Sequence, residues 1–466
     1  MKGEADLRVS ITAVAAVAIL FLVNAIGYLD RQILVLVVEP LKADLGLTDT
    51  MVGLVHGAAF MVTYAVAGVF LGSLIDRRNR RNLLISCVLA WSLFTGLAGF
   101  SRSGMELFVA RMGVGLGEAA LVPVALSLIA DYFPASQRGK ALGIFMTGAY
   151  AGVGLSLVLA GSALPVLTLW SEALAGRGIE FAPWRMLMAS MWVLGVCAAL
   201  LLLTLKEPTR RSDAGGAAVP SLTGTGFGYW WARWRLYLPH HAGFGLLAFC
   251  SFGLHAWAPT ALIREYGIAP GSVGILYGTV VVVSGTTGAF LGGWLGDRFG
   301  PVGRRTDAIY PLCTIAGAGM VGLMLFHQLP LAVAAFGIVN LGLSAALVVG
   351  LTSVADIAEA EVRGRTSALY LLFAGVLGMA AAPALIGYLS DMLAGQVRLS
   401  LVIAASSLID LTMGHINDNP WGAHAPILKE STKLGSVSSN ALTGKAWGLG
   451  RPNGPPQKDP RPVPPV

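Results

Sequence analysis

Blocks of about twenty or more consecutive apolar residues recur along the chain, and about 20 residues of helix suffice to cross the hydrocarbon core of a bilayer. They fall at about 10–38, 51–74, 82–100, 105–130, 141–169, 184–205, 239–263, 272–296, 307–326, 329–354 and 366–389, with a shorter twelfth at 399–413 that contains Asp410. In lipid every backbone N–H and C=O must be satisfied internally, so such blocks fold as helices or as strands of a closed barrel. Barrel strands alternate apolar with polar residues, and these blocks do not. The expected fold class is an all-α membrane protein of twelve transmembrane helices, the last one short.

Composition agrees. Charged residues make up 12% of the 466, against roughly 25% in a soluble protein. This excludes a soluble enzyme and a disordered chain. The net charge of +7 could suggest nucleic acid as a partner, but the basic residues sit in short loops between apolar blocks, so none is expected. Cys87, Cys197, Cys250 and Cys313 lie inside apolar blocks and imply no disulfide framework. The first block is too long for a signal peptide.

Loop charge sets the orientation. Eighteen of the 32 Lys and Arg fall on the side where the chain begins, and six (Lys42, Arg102, Arg177, Arg185, Arg264, Arg398) on the other. That bias places both termini in the cytoplasm. The longest connection, 206–238, divides the spans six and six. It carries Ser212, Gly215, Gly216 and Pro220 and then a basic aromatic stretch from Tyr229 to Arg235 that reads as an interfacial anchor. The domains follow as 1–205, a six-helix bundle; 206–238, a linker; 239–413, a second bundle; and 414–466, a polar, Pro-rich tail disordered by composition.

The two halves repeat one another. Gly72-Ser-Leu-Ile-Asp76-Arg77 ends span 2 and Gly293-Trp-Leu-Gly-Asp297-Arg298 ends span 8, 221 residues later. Asp131 stands seven residues before Arg138 and Asp356 seven before Arg363, at an offset of 225. Duplicated six-helix halves are the layout of a secondary transporter working around a midplane site.

The Gly-x-x-x-Asp-Arg loop with its following arginines resembles the signature of the major facilitator superfamily. Residues 24–206 are similar to its Spinster-like branch, through Tyr28-Leu-Asp30-Arg31, Trp91-Ser92, Arg111-Met-Gly113-Val-Gly115-Leu-Gly117-Glu118-Ala119, Ser127 to Pro134, Pro183-Trp184-Arg185 and Glu207-Pro208. In the second half, the repeated loops and Gly387-Tyr-Leu-Ser-Asp391 match. The resemblance implies a monomeric, multi-pass protein of the bacterial inner membrane that moves a small organic or lipid-like substrate. Organic-anion symporters of the superfamily share the Asp-Arg and Gly-Glu-Ala elements, which leaves an organic anion as the alternative cargo.

An ionisable side chain within a span costs about 2.5–3.5 kcal/mol to insert, and spans 1 and 4 hold four: Asp30, Arg31, Arg111 and Glu118. Arg111 and Glu118 share one helix face. Asp30 is expected to act as a proton-accepting switch that pairs with Arg111 or Arg31 when ionised and releases it when protonated. Glu118 is the second candidate carrier, or a contact for a cationic substrate group. The bland alternative is a permanent ion pair tying the two helices together. Gly72, Asp76, Arg77, Arg80, Arg81, Asp131 and Arg138, with Asp297, Arg298, Asp356 and Arg363 in the second copy, read as a cytoplasmic gate, against topology alone. Asn79 stands where the superfamily usually has Gly and is expected to hold a left-handed turn. His56, Tyr64, His255, Trp257 and Asn340 are possible cavity residues. His240-His241, adjacent at a span boundary, do not form a metal-ligand pair, and neither metal nor cofactor is expected. No HExxH, Gly-x-Ser-x-Gly or P-loop motif supports an enzyme or an ATP-driven pump. An uncoupled facilitator and a degenerate non-transporting relative remain as other readings; the short twelfth span keeps the second in play.

Overall fold

The structure, a computed structural model, describes residues 11–209, 230–299, 305–358, 362–402 and 404; at Gly72, Asp76 and Arg363 it describes the backbone alone. The connection 210–229, most of the predicted twelfth span and the tail lie outside the described residues.

Among the described residues the regular structure is helical throughout. Ten helices are long and apolar enough to cross a bilayer: Ile11–Leu45, Asp49–Gly68, Arg80–Ala98, Gly104–Tyr132, Gln137–Ala175, Pro183–Leu203, Trp234–Tyr266, Pro270–Phe299, Leu329–Val354 and Thr366–Met392. These are spans 1–8, 10 and 11. Span 9 is the shorter Ile309–Leu325, and the chain enters a further helix from 397. The second helix continues to Arg77, and Asn79 then caps span 3: its side chain accepts from the Asn82 N–H at 2.9 Å with φ −68°. The expected left-handed turn is therefore absent. Asn is among the best N-cap residues, and the cap replaces the turn that glycine would make.

Spans 1 and 5, 2 and 4, and 3 and 6 pack together, as do 7 and 11, 8 and 10, and 9 and 10. The packing yields two pseudo-symmetric helical bundles. Spans 5 and 8, and 2 and 11, join them. Call the end where span 1 begins proximal and the opposite end distal. In the distal half the joining helices touch backbone to backbone. A Cβ on Gly154 would meet the Gly278 carbonyl at 2.8 Å, and one on Gly57 would meet the Met379 carbonyl at 2.4 Å. Toward the proximal end Gly68, Gly139, Gly143 and Gly293, on the same helices, have nothing within 4 Å of an added Cβ. Close contact distally and open space proximally define a crevice that opens at the proximal end.

Two helices of the distal contact carry π-helical turns, Leu54–Ala58 in span 2 and Ala374–Ala381 in span 11, and the two turns abut. Such turns insert a residue into the helical ladder and concentrate at functional sites.

Candidate functional site

Asp30, Arg111 and Glu118 are fully buried and Arg31 is 9% exposed. Spans 1 and 4 bring all four together. The Arg31 Nε–H donates to Glu118 Oε2. Its guanidinium carbon also sits 4.6 Å from the ring centres of Tyr28 and Phe60 and 5.6 Å from that of Tyr64. A planar cation among three aromatic faces and a carboxylate is a well-matched, desolvated pair. Phe60 and Tyr64 are stacked at 5.4 Å, which fixes two walls of this box.

Arg111 contacts Asp30 through the backbone. Its Nη1–H donates to the backbone carbonyl of Asp30 at 3.2 Å, and neither carboxylate oxygen of Asp30 accepts a hydrogen bond. The Trp91 indole N–H, also without a well-formed partner, approaches that carboxyl group. Arg111 Nε and Glu118 Oε1 are likewise unsatisfied. Unsatisfied buried polar atoms are costly, each on the order of 1–3 kcal/mol. Asp30, Trp91, Arg111 and Glu118 all contribute such atoms to this one cluster.

Of the other cavity candidates, Tyr64 belongs to the Arg31 box. His56 lies in the π turn of span 2, its Nδ1 unpartnered, and with Trp257, Gly53 and Pro383 lines a space of about 10 Å³. Trp257 donates from Nε1 to the Pro383 carbonyl at 2.9 Å, tying span 7 to span 11. Asn340 Nδ2 donates to Ser284 Oγ at 2.8 Å, a hydrogen bond between spans 8 and 10, with half-buried His255 beside it.

At the proximal end Arg80 is buried. It binds Asp131, Glu207 Oε1 at 2.8 Å, Ser127 Oγ at 2.9 Å and the Pro208 carbonyl at 3.1 Å. Arg81 adds its backbone N–H to Glu207 Oε2 at 3.0 Å and its guanidinium to the Leu205 carbonyl at 3.1 Å. Arg138 Nε–H caps the Phe133 carbonyl at 3.1 Å. The contacts of Arg80 and Arg81 link the start of span 3 to the ends of spans 4 and 6. Arg77, Asp297, Arg298 and Asp356 are exposed. The side chains of Asp76 and Arg363, and any side-chain packing at Gly72, lie outside the description.

The distal end holds a network that the sequence reading did not single out. Asp49, at the first turn of span 2, receives Arg264 of span 7 through both carboxylate oxygens at 2.7 Å, Ser390 of span 11 at 2.6 Å, and Lys42. Arg264 also reaches Glu39 at 2.7 Å. Asp391 accepts from the backbone N–H groups of Asp49 at 3.0 Å and Thr50 at 2.8 Å, and from Thr50 Oγ1 at 2.6 Å. The carboxylate of one half thus caps a helix of the other.

Apolar spanning helices in two pseudo-symmetric sets, a buried charge cluster at mid-depth and a crevice sealed at one end define a multi-pass membrane transporter. The family profile of the Major Facilitator Superfamily matches residues 20–383, and the chain belongs to that family. Within it the likeness is to Spinster proteins. Protein spinster homolog 1 of Xenopus tropicalis is 30% identical over 467 residues, covering 92% of this chain and 84% of its own length. A protein of Mycolicibacterium smegmatis described as an MFS-type efflux pump is 29% identical over 418 residues, covering 85% of this chain and 90% of its own. A solved structure of a bacterial homolog of the human lysosomal transporter Spinster, inward-facing and unoccupied, superposes with a TM-score of 0.73 at 22% identity, covering 89% of this chain and 97% of that one.

Proposed function

We propose that the protein is a proton-coupled, alternating-access transporter of a small amphiphilic substrate, in which Asp30 is the proton carrier. The observation that carries the reading is the disposition of Asp30: fully buried, without a hydrogen bond to either carboxylate oxygen, yet with Arg111 bound to its own backbone carbonyl. A neutral acid fits that place. An anion there calls for a cation, and Arg111 and Arg31 are the cations at hand. Losing the proton therefore draws a guanidinium toward Asp30 and away from its present partners. In a low-dielectric cluster such a swap biases a two-state protein.

The same geometry bears on cargo. Arg31 fills a box of Tyr28, Phe60, Tyr64 and Glu118. When Arg31 is drawn to ionised Asp30, the box is left with an unpaired carboxylate and three ring faces, a receptor for a cationic or zwitterionic head group. The apolar walls of the crevice suit the rest of an amphiphile. Residues 1–205 and 239–413 serve as the rocking bodies, and the described state, with its distal seal, is the inward-facing one if the proximal end is cytoplasmic, as loop charge implies.

The test is uptake of a radiolabelled lysophospholipid, and separately of a lipophilic organic cation, into proteoliposomes under an imposed pH gradient. Wild type accumulates at least one of the probes against its gradient; Asp30→Asn exchanges it but does not accumulate it. Accumulation by Asp30→Asn with the wild-type pH dependence would discard the carrier assignment.

A further inference from the structure

Beyond Arg81, span 3 carries no charged residue. What it brings to the Asp30 cluster is Trp91, one of the largest fully buried side chains in the molecule. Its place is set by the backbone. A Cβ added to Gly117 of span 4 would stand 2.8 Å from both Trp91 Cβ and the Trp91 backbone nitrogen. Spans 3 and 4 therefore touch main chain to main chain one residue before Glu118. Gly27, one turn before Asp30, brings span 1 up to the same level: a Cβ there would lie 3.7 Å from Glu118 Oε2. Where the three spans converge, three buried polar atoms stand without a well-formed hydrogen bond: Trp91 Nε1 and both carboxylate oxygens of Asp30. The indole approaches the carboxyl group.

An indole N–H donates and never accepts. It favours an ionised oxygen over a neutral one, because hydrogen bonds to a charged acceptor are the stronger. It also differs from the guanidiniums in what it gives up. Arg31 must leave Glu118 to reach the Asp30 carboxylate, and Arg111 already holds the Asp30 carbonyl. Trp91 gives up nothing, since its N–H has no other acceptor. With its backbone set against span 4, the donor turns toward Asp30 without the movement of a helix.

Other groups surround Asp30. Span 1 itself offers Arg31, with Tyr28 against it, and span 4 offers Arg111 and Glu118. Span 2 places His56 near Arg111 and Tyr64 near Arg31. Span 3 adds the buried thiol of Cys87, one turn from Trp91. Spans 5 and 6, which also pack on span 1, carry no charged residue between Lys140 and Glu172 or between Arg185 and Lys206. The charged neighbours act on Asp30 through space. Trp91 acts through one directed bond, and removing that bond leaves every charge in place.

We propose that Trp91 is a positioning residue for the proton carrier: its indole N–H takes up the ionised Asp30 carboxylate and so sets the pH at which the proton leaves. The proposal rests on the reading of Asp30 as the carrier.

The test reads the carboxyl group itself. The full chain, purified in detergent, is titrated while the infrared absorption of neutral carboxylic acid is followed, and the Asp30 band is identified by its loss in Asp30→Asn. Trp91→Phe keeps a buried aromatic ring and removes the N–H. In that variant the Asp30 band should persist to higher pH, its midpoint about one pH unit above wild type, a tenfold change in proton affinity. Lost packing alone would lower the unfolding temperature without moving the midpoint. Coincident midpoints would overturn the proposal and leave the carrier assignment standing; an Asp30 band that does not titrate in the wild type would overturn both. Should Trp91→Phe fail to fold, ¹⁵N-indole spectra of the wild type decide. One N–H signal should then move in step with the carboxyl band and stay fixed in Asp30→Asn, and indole signals that all ignore the band overturn the proposal.

Discussion

Arg264 grips Asp49 with both terminal guanidinium nitrogens, each 2.7 Å from a carboxylate oxygen, and the two residues are 215 positions apart on opposite halves of the molecule. Planar, bidentate pairing of this kind combines charge with fixed geometry. The Asp49 side chain is 1% exposed and that of Arg264 is 19%, so solvent weakens the pair only in part.

Asp49→Asn is expected to unfasten the distal end, shifting the closed-to-open ratio by about 2 kcal/mol, roughly thirtyfold. Val38→Cys, in the wall of the small space beneath the network, reports it. A membrane-impermeant maleimide should label Val38→Cys slowly alone and quickly when combined with Asp49→Asn. Equal rates would mean that the pair does not hold the halves together.

Glu118→Gln removes the carboxylate from the Arg31 box and leaves a buried guanidinium without its counter-charge, a loss expected to cost about 3–5 kcal/mol. Arg31→Lys keeps the charge but not the flat surface that lies against Tyr28 and Phe60. Thermal unfolding followed by tryptophan fluorescence should place Arg31→Lys well below wild type. Full stability in Arg31→Lys would show that charge alone matters at this site.

Gly154→Leu places a side chain where the Gly278 carbonyl and the Val282 side chain already stand, at 2.8 and 2.1 Å from an added Cβ. Overpacking of this order costs about 1–3 kcal/mol, and here it is charged to the sealed state alone. The variant should fold and label rapidly at Val38→Cys. Gly143→Ala, whose Cβ meets nothing within 4 Å, should leave labelling unchanged and raise stability by up to about 1 kcal/mol through helix propensity.

Arg80→Ala removes the buried guanidinium that Asp131 and Glu207 share at the proximal end of the first six spans. A loss of about 1–3 kcal/mol follows from the charge-assisted hydrogen bonds removed, read as a lower unfolding temperature and a smaller folded yield. Arg77→Ala, exposed on the same loop, should change stability by less than about 0.5 kcal/mol.

The spans were legible because hydrocarbon thickness sets a minimum length for an apolar block, and the central charges because ionisable groups at mid-depth are rare. The partners of those charges were less so. The sequence offered either Arg111 or Arg31 as the partner of an ionised Asp30; in this structure Arg111 takes the Asp30 backbone carbonyl and Glu118 takes Arg31. Which residue a buried arginine reaches depends on helix rotation, and adjacency in sequence does not supply it. The distal network escaped for another reason. Asp49, Arg264 and Asp391 stand at the ends of spans, where charge is ordinary, and only the closed packing of spans 2, 7 and 11 makes them neighbours. His240 and His241 looked like boundary residues because span 7 begins earlier than its apolar block, at Trp234.

Asp391 supplies the acceptors for the first amide groups of span 2. Parting the halves therefore strips a helix terminus of its counterpart, and those amides must find water the moment they leave the carboxylate. Wetting of that terminus and separation of the bundles become one event. The tempo of the cycle would then answer to how readily a few solvent molecules slip between two helices, as well as to the cargo.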